Sequence, residues 1–205
     1  MRNGEGAHLD GFGDWADLSE ALMRGLSHGL TNRISSIGSF VQLHGMGDTE
    51  FTVENFLPKE SAQLQELARG LRLLVIDSET TAIELVPVLR DAMELYTHHG
   101  RMHTMRCELH VQGEPLLPIR VMRSALLRLV VILLDMAAVE VQDAGGEAVE
   151  IHVVATEMEL VVHVSCQRSP SEYAMALAEG AGGSLLAGDH VLELRIPTLL
   201  ALRAR

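Results

Sequence analysis

Two stretches, 15–44 and 58–81, place apolar side chains every three or four residues, and no proline falls inside either beyond its first position. That spacing dictates amphipathic helices. In the second stretch the apolar positions are Leu64, Leu67, Leu71, Leu74 and Val75, and Pro58 suits a first helical position. In the first, an advance of about 100° per residue from Leu18 gathers Leu22, Leu26, Leu30, Ile34, Ile37, Val41 and His44 between roughly 40° and 160°. A short polar break at 45–50 joins the two helices, so they fold back as an antiparallel hairpin. Two helices leave half of each apolar stripe wet, and the economical remedy is a four-helix bundle made by a second copy. A homodimer is expected.

Beyond residue 83 the texture changes. Helical patterns at 87–96, 119–141 and 171–178 alternate with β-like runs at 106–111, 149–155, 160–165 and 191–196. The last two runs read as neighbouring strands of a mostly antiparallel sheet. Mixed in this order, helices and strands predict an α/β sandwich with helices on one face of the sheet. The fold class is therefore α+β, with a hairpin unit at 10–83 and a sandwich unit at 84–199. The first ten residues are polar and glycine-rich and read as a frayed end.

Charge narrows the function classes. With 28 acidic and 16 basic side chains the net charge is −12, which opposes binding to a phosphate backbone. The longest apolar run, 125–141, contains Arg128, Asp135 and Glu140 and is not expected to span a bilayer. No signal-peptide pattern opens the chain, and Cys107 and Cys166 make no disulfide framework. A cytoplasmic location is expected.

The first helix carries one residue that packing does not account for. His28 falls at roughly 280°, opposite the apolar stripe, and Asn32, Ser35 and Ser39 lie close to it in angle. These four form a polar column spaced four, three and four. An exposed neutral imidazole is a nucleophile, able to take a phosphoryl group as a phosphohistidine. The same pattern also describes a solvated surface. Gly25, Gly29 and Gly38 thin the helix at a cost of about 0.5–1 kcal/mol each, which suggests close approach by another molecule.

The segment Ser27-His28-Gly29-Leu30-Thr31-Asn32-Arg33-Ile34, with Ile37-Gly38-Ser39-Phe40-Val41-Gln42-Leu43 after it, resembles the phosphoacceptor box of bacterial sensor histidine kinases. The hairpin resembles their dimerisation and phosphotransfer domain. The remainder, through Gly182-Gly183 and the closing Leu192-Glu193-Leu194-Arg195-Ile196-Pro197, resembles their ATP-binding body. The resemblance spans roughly residues 15–198 as a pattern of elements, and only the box around His28 is motif-grade.

The departures are as informative. In that family, nucleotide binding relies on asparagines in the helix corresponding to 119–141, yet the asparagines here are Asn3, Asn32 and Asn55. An Asp-x-Gly-x-Gly motif is expected after the strand at 160–165, where Cys166-Gln167-Arg168-Ser169-Pro170 stands. The acid that follows the phosphoacceptor in the family is Gly29 here. ATP binding and autokinase activity are therefore expected to be absent. A dimeric hairpin with a histidine and a degenerate kinase body resembles the dimeric histidine phosphotransferases of bacterial phosphorelays. The resemblance implies phosphoryl exchange between His28 and the aspartate of a response-regulator receiver domain, which brings its own Mg²⁺. Asn32 matches the family position that helps orient water for dephosphorylating a partner's aspartyl phosphate, and the resemblance implies that Ser35 and Ser39 line the docking groove. A hybrid histidine kinase is a further candidate partner. Two rivals remain: a silent scaffold that sequesters a receiver or a kinase, and a regulator phosphatase relying on Asn32.

Other clusters are expected to be structural. His98, His99 and His103 read as a loop after a helix, with Gly100 and Arg101 interrupting the spacing that a metal site needs. The run 180–183 reads as a turn into a strand rather than a phosphate cradle. Cys166 has no base at readable spacing. His110, His152 and His163 read as half-buried strand residues, and Met122 and Met136 as core filler. No metal or cofactor of its own is expected.

Overall fold

The structure, a computed structural model, describes residues 10–46, 53–75, 77–113 and 116–204. Helices α1 (Asp10–Gly45) and α2 (Val53–Leu73) form the hairpin. Phe40 stacks on Phe56, Arg33 pairs with Glu60 and Gly29 faces Leu67, an order that only antiparallel helices give. The expected frayed end at 1–9 and the loop positions 47–50 lie outside the described residues.

Three boundaries in particular differ from the sequence expectation. The second helix begins at Val53, so Pro58 sits within it and forfeits one backbone hydrogen bond of the second turn. It ends at Leu73, because Thr80–Ile83, rich in β-branched residues, forms strand β1 instead. The helix expected from 119 likewise opens as strand β3 (Ile119–Met122), antiparallel to β1 with Thr80 opposite Met122 and Ile83 opposite Ile119. Tertiary pairing overrides the helical reading in both places.

The sheet behind this ribbon contains β2 (Arg106–Gln112), β4 (Ala148–Ala155), β5 (Glu159–Ser165), β6 (Ser184–Gly188) and β7 (Val191–Pro197) in the order β2-β4-β5-β7-β6. The expected neighbours β5 and β7 pair antiparallel, and β2 pairs with β4 in parallel. One face is apolar: Val149, Ile151, Val153, Leu160, Val162, Val164, Leu192, Leu194 and Ile196 are all buried. Against it pack α3 (Leu85–Tyr96), α4 (Arg123–Asp143) and α5 (Glu172–Gly180); a short α6 (Leu199–Arg203) closes the chain. A helical hairpin followed by an α/β sandwich is the expected α+β class.

Glycines end two of these helices. After α4, Gly145 takes φ 71° while Gly146 N donates to Val141 O at 2.8 Å. After α5, Gly182 takes φ 76° while Gly183 N donates to Ala178 O at 2.9 Å. Both are left-handed caps that recover orphan carbonyls. Gly183 also lies under strand β7, where an added Cβ would meet Arg195 O at 2.5 Å. The glycine run is a helix stop and a close backbone approach, as expected of a turn.

Helix α4 is buried almost all round, and three of its charged residues tie it to three different neighbours. Arg128 lies over the Trp15 ring of α1 at 5.1 Å. Asp135 accepts from the Tyr96 hydroxyl at 2.8 Å and pairs with Arg101. Glu140 holds the loop after β5. A continuous apolar run therefore makes a core helix here, and no described helix is long and apolar enough to cross a membrane.

The hairpin shares the core of the sandwich. Trp15, Leu18, Leu22 and Leu26 of α1 are buried in one cluster with Leu89, Tyr96, Leu127 and Leu134. Buried Asp91 of α3 adds a polar tie, accepting from Arg69 of α2 and Arg123 of α4. Farther along, the wide apolar stripe of α1 splits in two. One seam, through Gly29, Arg33, Ser36 and Phe40, faces α2. In its middle Glu60, 4% exposed, accepts from Arg33 at 3.3 Å. The other seam is wet: Leu30, Ile34 and Val41 are 37%, 60% and 62% exposed, and Leu57 of α2 and Val75 just after it are exposed too.

Candidate functional site

His28 stands on the exposed side of α1. One turn on, the Asn32 amide nitrogen lies 3.1 Å from His28 Nε2. With the amide so oriented it donates to the ring, which leaves Nε2 as the basic nitrogen and the proton on Nδ1. The structure brings His28 and Asn32 into contact and places Ser35 and Ser39, both exposed, farther along the same helix.

The sandwich approaches the same spot. A cleft of about 580 Å³ is lined by Arg24, Gly25, His28 and Gly29 of α1 and by the loop Thr97–Arg101 after α3. Gly25 makes this possible: a Cβ there would meet the His98 carbonyl oxygen at 1.8 Å. At Gly29 a Cβ would meet Leu67 Cδ2 at 2.9 Å, whereas nothing lies within 4 Å of one at Gly38. The close approach at Gly25 and Gly29 is thus made by this chain itself, which corrects the expectation of another molecule there. The thin helix seats its own loop and its own hairpin partner.

Sequence reasoning set the 98–101 loop aside, yet it forms one wall beside the candidate nucleophile. A Gly100–His103 3-10 turn carries it, with the His99 ring accepting from Arg101 N at 3.3 Å and stacked 5.3 Å from Tyr96. The side chain of His103 lies outside the described residues. Burial holds His98 and His99 below the ordinary histidine value of 6.5, against the opposing pull of Glu94 and Glu66 on the first and Asp135 on the second. These rings are neutral at pH 7. The sign of the linkage follows: with the folded value depressed, the unfolded chain takes up more protons, so stability is full above about 6.5 and falls as pH drops through it. Urea unfolding is expected to give a flat midpoint above pH 7.5 and a falling one between pH 7 and 5.5. Replacing both by glutamine is expected to flatten that slope.

Farther along α4 the loop after β5 is held by a carboxylate. Glu140 accepts from Gln167 N at 2.8 Å, from Arg168 N at 2.8 Å and from the Cys166 thiol at 3.4 Å. Burial works against its charge, but the hydrogen bonds from Gln167, Cys166 and Arg168 hold it below the usual carboxylate range. Burial pushes the Cys166 thiol up to about 11, and the Cys107 thiol likewise to about 11. Both are protonated at neutral pH and are poor nucleophiles, in keeping with their structural reading.

No protein-family model matches the chain, and no curated protein matches it. Solved structures of histidine kinases are similar to it. The histidine kinase ThkA, in complex with the response regulator protein TrrA, matches at 16% identity and a TM-score of 0.46, over 96% of this chain and 69% of that one. The histidine kinase AdeS of Acinetobacter baumannii matches at 14% identity and 0.45, over 84% and 98%. A histidine kinase of Burkholderia phymatum matches at 13% identity and 0.42, over 86% and 97%.

Proposed function

We propose that this chain is a homodimeric histidine phosphotransferase, exchanging a phosphoryl group between His28 and the aspartate of a response-regulator receiver domain. The observation that carries this reading is the exposed His28 ring with Asn32 at 3.1 Å, at the mouth of the cleft beside the 97–101 loop. In the forward step the Nε2 lone pair attacks phosphorus of the receiver's acyl phosphate. The N–P bond forms, the O–P bond breaks, and the aspartate leaves as a carboxylate. The ring then loses its Nδ1 proton to water, and the reverse step retraces this path. The chain supplies position more than chemistry. Asn32 selects the reactive tautomer and swings from the ring to a phosphoryl oxygen as the new bond forms. The receiver supplies Mg²⁺ and most of the charge stabilisation, and Ser35 and Ser39 line its docking face.

ATP has no part in this reaction. The backbone donors at 167 and 168 are already taken by Glu140, and Asp135 of α4 is taken by Tyr96 and Arg101. Calorimetry with Mg-ATP is expected to give no saturable heat; saturable binding at micromolar concentration would overturn the point.

The test is to incubate the protein with a phosphorylated receiver and follow the phosphate. Transfer to the protein, abolished by His28→Ala and slowed by Asn32→Ala, is expected. Release as inorganic phosphate that survives His28→Ala but not Asn32→Ala would make it a phosphatase. Phosphate left on the receiver would make it a scaffold.

A further inference from the structure

The open face of the sheet brings together side chains that are far apart in sequence. Strands β2 and β4 pair in parallel with Glu108 opposite Glu150 and His110 opposite His152. Alternate residues of a strand share a face, so these four make a two-by-two square at the sheet edge. Two glutamates directly opposite each other on paired strands repel. Arg106 relieves Glu108, pairing with it at 2.7 Å, whereas Glu150 has the His152 ring, with Nε2 at 3.0 Å from its Oε2. The His110 and His152 rings stack at 4.7 Å and 17°.

We propose that His110, Glu150 and His152 form a binding site for a divalent transition metal of the zinc class. One ligand atom from each lies within 4.8 Å of the other two. A tetrahedral ion bonds nitrogen and oxygen at about 2.0–2.2 Å, so two of its ligands stand about 3.3 Å apart. The His152–Glu150 pair at 3.0 Å is already near that spacing, and His110 closes the other two edges by turning out of its stack on His152. The ion replaces the proton between His152 Nε2 and Glu150 Oε2; that proton passes to water while Nδ1 takes one up from water, so the ring binds as a neutral imidazole. Two imidazoles and one carboxylate select zinc-like ions over Mg²⁺ or Ca²⁺, which want oxygen ligands throughout. Water takes the fourth position. Bound there, the ion clamps edge strand β2 to the sheet and cancels the Glu150 charge.

The probe is Zn²⁺ titrated into the whole chain by calorimetry. One saturable site per chain is expected, weakened by about tenfold or more in His110→Ala and in His152→Ala. His28→Ala should leave it intact, which separates this site from the histidines around the cleft. Because both ligand positions are at the surface, circular dichroism should show unchanged folds. As a second readout, Co²⁺ should give a visible absorption band that both substitutions remove. No saturable binding, or a site that survives loss of both histidines, would overturn the proposal.

Discussion

Gly25→Ala is expected to destabilise the chain by about 1–3 kcal/mol in urea unfolding, although alanine is the better helix former. Helix propensity alone predicts a gain of about 0.5–1 kcal/mol. Against it stands the contact: the new methyl would sit 1.8 Å from the His98 carbonyl oxygen and 2.9 Å from its carbon. Both are backbone atoms, so no rotamer relieves the clash. The helix and the 97–101 loop must separate, which disturbs the buried packing of Leu22 and Leu26 and removes one wall of the cleft beside His28. Phosphoryl transfer is expected to slow with the loss of stability. Gly38→Ala is the contrast, because among the described residues no neighbouring element lies within 4 Å of the added Cβ. It is expected to gain about 0.5–1 kcal/mol. Equal effects at the two positions would mean that the loop does not seat on α1.

Leu30→Glu combined with Ile34→Glu is expected to convert a dimer of about twice 22.4 kDa into a 22.4 kDa monomer. These side chains belong to the wet seam, with Val41 on α1, Leu57 on α2 and Val75 just after α2. Burying each against a second copy contributes about 1.5–3 kcal/mol, and charging two of them reverses the sign. His28 lies roughly 120–160° around the helix from Leu30 and Ile34, so dimer formation leaves the ring accessible. Sedimentation of the unsubstituted chain as a monomer at high concentration would contradict the bundle.

The parts of this fold that sequence made legible are those governed by local periodicity. Helical spacing located α1 and the exposed column of His28, Asn32, Ser35 and Ser39, and alternation located β2, β4, β5 and β7. What stayed hidden depends on partners distant in sequence. Strands β1 and β3 are four residues each and exist because they pair with each other. Glu60, Arg33 and Gln63 form a polar layer inside the hairpin that an apolar count passes over. Arg128, Asp135 and Glu140 of α4 look like interruptions of an apolar run until each partner is placed. Gly25 signalled close approach, but not that His98 makes it. Likewise, no spacing within β2 or β4 reveals that His110 faces His152, since that follows from the register of a parallel pair.

The central claim is that the ring at position 28 carries a phosphoryl group. Mass spectrometry of the protein after incubation with a phosphorylated receiver domain, under alkaline conditions that preserve phosphohistidine, tests it directly. An acid-labile phosphoryl group mapped to His28 is expected, appearing as the receiver loses its own. Phosphate that leaves the receiver without modifying residue 28, or a label mapped to another histidine, would contradict it.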